Sequence, residues 1–339
     1  MKRHNLLLLA IAGIFCAGVA LRYAPEFRRH ARADSVPTLL ELAPADATLL
    51  AYADVGTLRD LPLVRYLLSM AGPATVDKDY ADFISATGFD YQRDLDRIVI
   101  ASRAAPSGQM LVFAEGRFDR TRITQYALRS GKIHNGNGRS IYIIPGTAGK
   151  NISITFLGAN RIALSDGGDL TDALATKSSS ELDPALRERV SRVEGSPLFI
   201  VAKTPAPASA NPSSAAAEQG NSVWAIFGSL RWVDLAARPD ASALLLSAEG
   251  ECGTPGEAQK IASSLELVRG MLHGGLSDPK SRGQMPAETA AEASRLLQAI
   301  RVSTEGERVR LLLTVTPEML GTLKSPDPGA SQAPAHKIE

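Results

Sequence analysis

The chain has 339 residues, of which 45% are apolar and 22% charged, with a net charge of +1 at neutral pH. This balance excludes a disordered polyelectrolyte, and the length suits one large or two ordinary domains. Residues 1–33 carry +5, leaving about −4 on the remainder. That argues against nucleic acid as a partner, because phosphate binding needs a concentrated basic face.

Residues 6–21 (LLLLAIAGIFCAGVAL) form a sixteen-residue run without a charge. Its apolar side chains come from Leu6, Leu7, Leu8, Leu9, Ile11, Ile14, Phe15, Val19 and Leu21. Lys2 and Arg3 precede it, and Arg22, Arg28, Arg29 and Arg32 follow. That is the pattern of an export signal or a single membrane anchor. As a helix the run spans roughly 24 Å, a little under the ~30 Å hydrocarbon core. Gly18-Val19-Ala20 and Ala31-Arg32-Ala33 both offer small residues to a signal peptidase. Cys16 follows Phe15, where a lipidation signal needs a small side chain. An uncleaved anchor in residues 1–33, with the body outside the cytoplasm, is favoured, and a cleaved signal stays open.

Residues 34–46 read as a linker ending in a Pro44-Ala45-Asp46 turn. A strand, Thr48 to Val55, follows, with Thr57 as the N-cap of a helix carrying Leu61, Val64, Leu67 and Leu68. A second helix, Asp79 to Thr87, stops at Gly88. Strands Leu95 to Ser102 and Met110 to Glu115 come next, then a helix from Arg120 to Arg129. Asn135-Gly136-Asn137-Gly138 predicts a hairpin between Lys132 to His134 and Ser140 to Ile144. A second hairpin joins Asn151 to Leu157 with Arg161 to Ser165. Helices from Asp169 to Thr176, capped by Asp169, and from Pro184 to Val193 lead to a strand, Leu198 to Lys203.

Residues 204–221, rich in Pro, Ser and Ala, read as a flexible linker between an N-terminal domain (47–203) and a C-terminal domain (222–323). The C-terminal domain opens with a long strand, Val223 to Leu235, expected to carry Trp224, Ile226, Leu230 and Trp232 on one face. A strand from Ala243 to Glu249 is followed by two helices. The first has an apolar stripe of Ala258, Ile261, Leu265, Val268 and Leu272; the second, from near Pro286, has Ala290, Ala293, Leu297 and Ile300. Strands Ile300 to Thr304 and Arg308 to Thr316 turn at Glu305-Gly306. A short helix, Pro317 to Leu323, precedes a disordered tail, 324–339. The fold class is α+β: antiparallel sheets with helices on one face. Residues 48–129 and 242–323 share one element order, strand-helix-helix-strand-strand-helix, which makes them candidates for a duplication.

Chemistry-bearing groups are few. Asp90, Asp94 and Asp96 could approach a hard cation, but Arg93 and Arg97 stand among them as neutralising partners. Ser165, Asp166 and His134 are the residues an unconventional hydrolase would use, without the G-x-S-x-G elbow. His273 ends a helix in His-Gly-Gly. Cys252 is alone in the body and is expected to be buried. No metal or cofactor motif occurs, so no cofactor is expected. Trp224 and Trp232, eight residues apart, form a binding platform if exposed and core if a helix covers them.

The Pro44-Ala45-Asp46 turn before the first strand and the phrase Gly88-Phe89-Asp90…Asp94-Leu95-Asp96 resemble uncharacterised envelope proteins of bacteria. The resemblance spans roughly fifty residues and implies no particular activity. The expectation is a binding or assembly protein of the cell envelope: a scaffold, adaptor or sensor, held by the inner membrane in a single pass, or periplasmic or secreted after cleavage. Its partners would be the membrane and other envelope proteins, and the alternative is an extracytoplasmic hydrolase.

Overall fold

A computed structural model describes residues 39–61, 64, 78–103, 108–136, 138–145, 151–166, 170–175, 182–204, 229–240, 243–278, 287–316 and 319. The apolar segment 6–21, Leu67, Leu68, Asp169 and Trp224 lie outside them, as do most of the 204–221 linker and the tail. Among the described residues no helix is long and apolar enough to cross a membrane.

Twelve strands make one antiparallel sheet: β1 (Ala47–Asp54), β2 (Leu95–Arg103), β3 (Met110–Gly116), β4 (Lys132–Gly136), β5 (Arg139–Pro145), β6 (Asn151–Phe156), β7 (Arg161–Asp166), β8 (Leu198–Lys203), β9 (Trp232–Asp240), β10 (Ala243–Glu251), β11 (Arg301–Glu305) and β12 (Arg308–Val315). Their order across the sheet is β11-β12-β10-β9-β8-β1-β2-β3-β7-β6-β5-β4. The helices are α1 (Val55–Arg59), α2 (Lys78–Thr87), α3 (Tyr91–Asp94), α4 (Arg120–Ser130), α5 (Leu170–Ala175), α6 (Pro184–Val193), α7 (Pro255–Ser277) and α8 (Ala287–Ala299). The chain is an α+β protein.

Side chains alternate across a strand, so register sorts the core into two layers. Tyr52 pairs with Val99 and Phe199, Val99 with Phe113, Phe113 with Ala163, and Phe199 with Ala236. All of these share the front face and one buried cluster with Leu170 of α5 and Leu186 and Val193 of α6. Burying a side chain such as Phe113 contributes about 2–3 kcal/mol. Leu39, Leu40 and Ala43, expected in a linker, are buried in the same cluster. On the back face, Ala114, Tyr142, Ile154 and Ile162 meet Ile123 and Ala127 of α4, with Phe83 of α2 beside them. Ala53 meets Val55 and Leu58 of α1, and Val309 meets Ala258, Ile261 and Ala262 of α7.

Helices thus cover both faces, not one. The central strands have apolar residues at both parities, as in Ile98-Val99-Ile100-Ala101, and each parity needs its own cover. β8 pairs with β9 from Leu198↔Ala237 to Lys203↔Trp232, so a single sheet runs through the two segments expected as domains. The shared element order does not extend to strand order. β1, β2 and β3 lie side by side in sequence, whereas β12 sits between β10 and β11.

Local chemistry corrects three further expectations. Thr57 is not an N-cap: Asp54 caps α1, accepting from the Thr57 amide at 2.8 Å, because the carboxylate at the strand end reaches the free amides first. The stripe on α7 does not reach Leu272, which is 51% exposed, while Cys252 is buried as expected. β9 starts at Trp232, after the irregular residues 229–231, and Leu230 does not share its face; the expected strand's start at 223–228 lies outside the described residues. Leu230 packs with Cys252 and Val309 under α7, while Trp232 lies in the front core.

Candidate functional site

Charged residues converge where α6 lies on the front of the C-terminal strands. Asp183 caps α6, accepting from the Ala185 amide at 2.7 Å, and Pro184 holds the first turn. Leu186, Arg189 and Val193 then fall on the buried side. Opposite them, front-face alternation presents Asp234 of β9, Glu249 and Glu251 of β10, and Arg308 and Arg310 of β12, with Asp234↔Glu249 and Glu249↔Arg310 paired across strands.

Arg189 is 5% exposed. Its guanidinium lies over the Trp232 ring at 4.4 Å, donates to the Ala185 carbonyl at 2.6 Å and pairs with Glu251. Arg192 reaches Glu249 at 3.2 Å and Glu251 at 3.5 Å, and also pairs with Glu188. Glu249 additionally accepts from Arg308 at 3.3 Å and Arg310 at 2.7 Å. Burial works to raise the Glu249 pKa, but these arginines outweigh it and hold the carboxyl below its ordinary value.

Asp234 differs. It is 5% exposed, and its Oδ1 has no hydrogen-bond partner among the described residues. Burial first, then the neighbouring charge of Glu249, pushes its pKa up to about 6.

A second feature is an open groove of about 580 Å³ on the other half of the sheet, bounded by the end of α2, α3, the start of α4 and the turn after β6. Phe89 and Phe118 stack in it with centroids 5.2 Å apart. Asp94 sits at its base, accepting from Arg93 at 2.9 Å and Arg117 at 3.3 Å. Burial works against ionisation of Asp94, yet the bonds from Arg93 and the Asp90 amide keep its pKa lowered. Arg122 pairs with Asp119 at 3.4 Å on the rim.

Two of the three carboxylates considered for a cation, Asp90 and Asp94, are spent on structure. Asp90 caps α3 through the Gln92 amide, Asp94 takes Arg93 and Arg117, and Arg97 turns to Glu115 at 3.4 Å. Among the described residues no group of three His, Cys, Asp or Glu side chains could hold a metal ion.

Ser165, Asp166 and His134 do not converge. Ser165 is 2% exposed on the front face and accepts from Gln109 at 2.7 Å. Asp166, the next residue, points to the back and accepts from the Met110 amide at 2.7 Å. His134 is on β4, three strands from β7, or roughly 14 Å at ~4.8 Å per strand. His273 faces α8, where its ring meets Ser294 and Gln298. Trp232 is 7% exposed beneath Arg189, so it sits as core rather than as a platform.

The sequence reading passed over the α6 network. Its signal was charge at alternate strand positions: Asp234 two residues after Trp232, Glu249 with Glu251, and Arg308 with Arg310.

No protein-family model matches the chain, and no curated protein matches it. Among solved structures it is similar to TP0453. Crystal form I of that protein is 12% identical, with a TM-score of 0.41, covering 86% of this chain and 98% of that one. Crystal form IV is 11% identical, with a TM-score of 0.43, covering 85% and 96%.

Proposed function

We propose that this chain is a binding and assembly protein of the bacterial cell envelope, a scaffold, adaptor or sensor held by its N-terminal segment with the α+β body outside the cytoplasm. The groove of about 580 Å³ carries the reading of a binding protein. It offers a stacked aromatic pair rimmed by Arg117, Arg122, Asp119 and Asn160, which suits a polar segment of another envelope protein. The charge-free run 6–21 between basic flanks supports a single pass through the inner membrane, with a cleaved, periplasmic form as the variant.

The test joins location to binding. Full-length protein is expected to stay in carbonate-washed membranes, with its body digested when protease is added to intact spheroplasts. A photo-crosslinking residue at Phe118 is expected to capture an envelope protein, and Arg117→Glu with Arg122→Glu to reduce that adduct several-fold. A body that resists protease until the spheroplasts lyse overturns the location. Adducts untouched by the two substitutions overturn the groove.

A further inference from the structure

We propose that the chain forms a two-fold dimer through β11, the strand at the C-terminal edge of the sheet. β11 reads Arg301-Val302-Ser303-Thr304-Glu305, and among the described residues no strand pairs with its outer side. A two-residue turn, Gly306-Glu307, joins it to β12 and closes on the Glu305↔Arg308 pair. The pair that closes such a turn exchanges both backbone hydrogen bonds, so alternation turns the N–H and C=O groups of Arg301, Ser303 and Glu305 towards β12. Those of Val302 and Thr304 point outward.

These outward groups fix the partner and the register. Two β11 strands pair antiparallel, using all of the outward groups, only when the two-fold axis passes beside Ser303. Val302 then exchanges hydrogen bonds with Thr304 of the second copy, and the reverse. The same register sets Arg301 opposite Glu305 of the second copy twice over, on the front face. The strand is self-complementary in charge as well as in hydrogen bonding, as a symmetric interface requires. Neighbouring registers lose half of the bonds and set no opposite charges of β11 directly across from each other.

Both charges face solvent. Arg301 is exposed and has no carboxylate partner among the described residues, and the Glu305 side chain is 68% exposed, with Arg308 at 3.2 Å and Arg310 at 3.7 Å both on the same carboxylate oxygen. On the back face Val302 packs in the α7 cluster and Thr304 meets Gln259 of α7 at 3.3 Å. α7 therefore lies along this edge, and pairing brings the α7 of the second copy alongside it. The contact then extends beyond two five-residue strands, which alone are too small for a stable interface.

The register makes the test sharp. Ser303 meets Ser303 of the second copy as a non-hydrogen-bonded pair, with Cα atoms ~4.5 Å apart, within disulfide range. Full-length Ser303→Cys in a Cys16→Ser background, mildly oxidised in membranes, is expected to run as a covalent dimer on a non-reducing gel. The same background without Ser303→Cys should stay monomeric, since Cys252 is buried. Adding Arg301→Glu is expected to lower the crosslinked fraction about tenfold, and Arg301→Glu with Glu305→Arg to restore it, because reversed charges meet again across the two-fold. Thr304→Pro removes an outward N–H without touching a bond to β12 and should also abolish the dimer. Circular dichroism confirms that each variant is folded. Absence of the Ser303→Cys crosslink overturns the proposal. So does a crosslink insensitive to Arg301→Glu, or a dimer held instead through the exposed Leu267 and Met271 of α7.

Discussion

The guanidinium of Arg189 lies over the Trp232 indole, 4.4 Å away, while it pairs with the carboxylate of Glu251. One side chain from α6 thereby ties the helix to β9 and β10. Removing it exposes both partners to loss: the indole keeps only the more distant Lys203, at 5.9 Å, and Glu251 only Arg192, at 3.5 Å, among the described residues. Truncating one member of a buried ion pair costs about 3–5 kcal/mol. Arg189→Ala is expected to cost that much, and Arg189→Lys to recover less than half, since an ammonium cannot stack flat and donate sideways at once. Urea denaturation of the full chain measures both. A loss below about 1 kcal/mol for Arg189→Ala would remove Arg189 from this role.

Asp234 predicts a pH dependence of opposite sign to that of most carboxylates. Its folded pKa of about 6 lies above the ~3.9 of an unfolded aspartate. Between those values the folded chain holds a proton that the unfolded chain has released. Stability from this group therefore falls as pH rises from ~4 to ~6 and is flat above. The full swing is about 3 kcal/mol. Asp234→Asn removes it, so the variant should be the more stable protein at pH 7.5 and no more stable than the parent at pH 4. The comparison of variant with parent cancels the carboxylates that behave oppositely and lie apart from Asp234, such as Asp94. Equal stabilities at pH 7.5 would mean that the buried carboxylate finds a partner in solution.

Tyr52 stacks on Phe199 with centroids 5.3 Å apart, and it is 2% exposed. Its hydroxyl has no hydrogen-bond partner among the described residues. Burial, helped by the charge of Asp54, drives the phenol pKa up, so the group stays neutral. An unpaired buried hydroxyl costs about 1–3 kcal/mol, and its removal leaves the ring contacts intact. Tyr52→Phe is expected to raise the thermal midpoint by several degrees. A lowered midpoint would show that an ordered water or another group satisfies the hydroxyl.

Element positions were largely legible where local chemistry is strong. Leu198–Lys203 is an apolar run between Pro197 and Thr204 and appears as the expected strand, and the Asn135-Gly136-Asn137-Gly138 stretch gives the expected hairpin, although Asn135 and Gly136 extend β4 and the turn closes on the Gly136↔Arg139 pair. Gly88 ends α2 with φ of 71°, its amide bonded to the Ile84 carbonyl at 2.8 Å. Long-range pairing was not legible. Nothing local says that β11 passes beyond β12 instead of lying beside β10. The two-sided cover was readable in hindsight from unbroken apolar runs such as Ile98 to Ala101, which mark a strand buried on both faces. The expected shared face of Trp232 and Leu230 fails at the irregular residues 229–231, because a break in a strand frees the faces beyond it from its alternation. The α6 network was hidden for a different reason. Its members lie far apart in sequence, and charge at alternate strand positions reads as solvent exposure until a helix is placed above it.

The close approach of Gly250 to Leu230 gives a test of that break. A Cβ on Gly250 would stand 2.7 Å from Leu230 Cδ2 and 3.2 Å from Val309 Cγ1. Leu230 rests on bare backbone there, which is how a residue outside the strand enters the α7 core. Gly250→Ala should cost about 1–3 kcal/mol, the usual penalty of overpacking. Leu230→Ala alone should cost about 2–4 kcal/mol through the cavity it leaves. Together they should cost less than the sum by at least about 0.5 kcal/mol, since the new methyl fills part of the space vacated by Leu230. Denaturant titration of the two single variants and the double closes the cycle. Strict additivity would separate the two residues and return Leu230 to the Trp232 face.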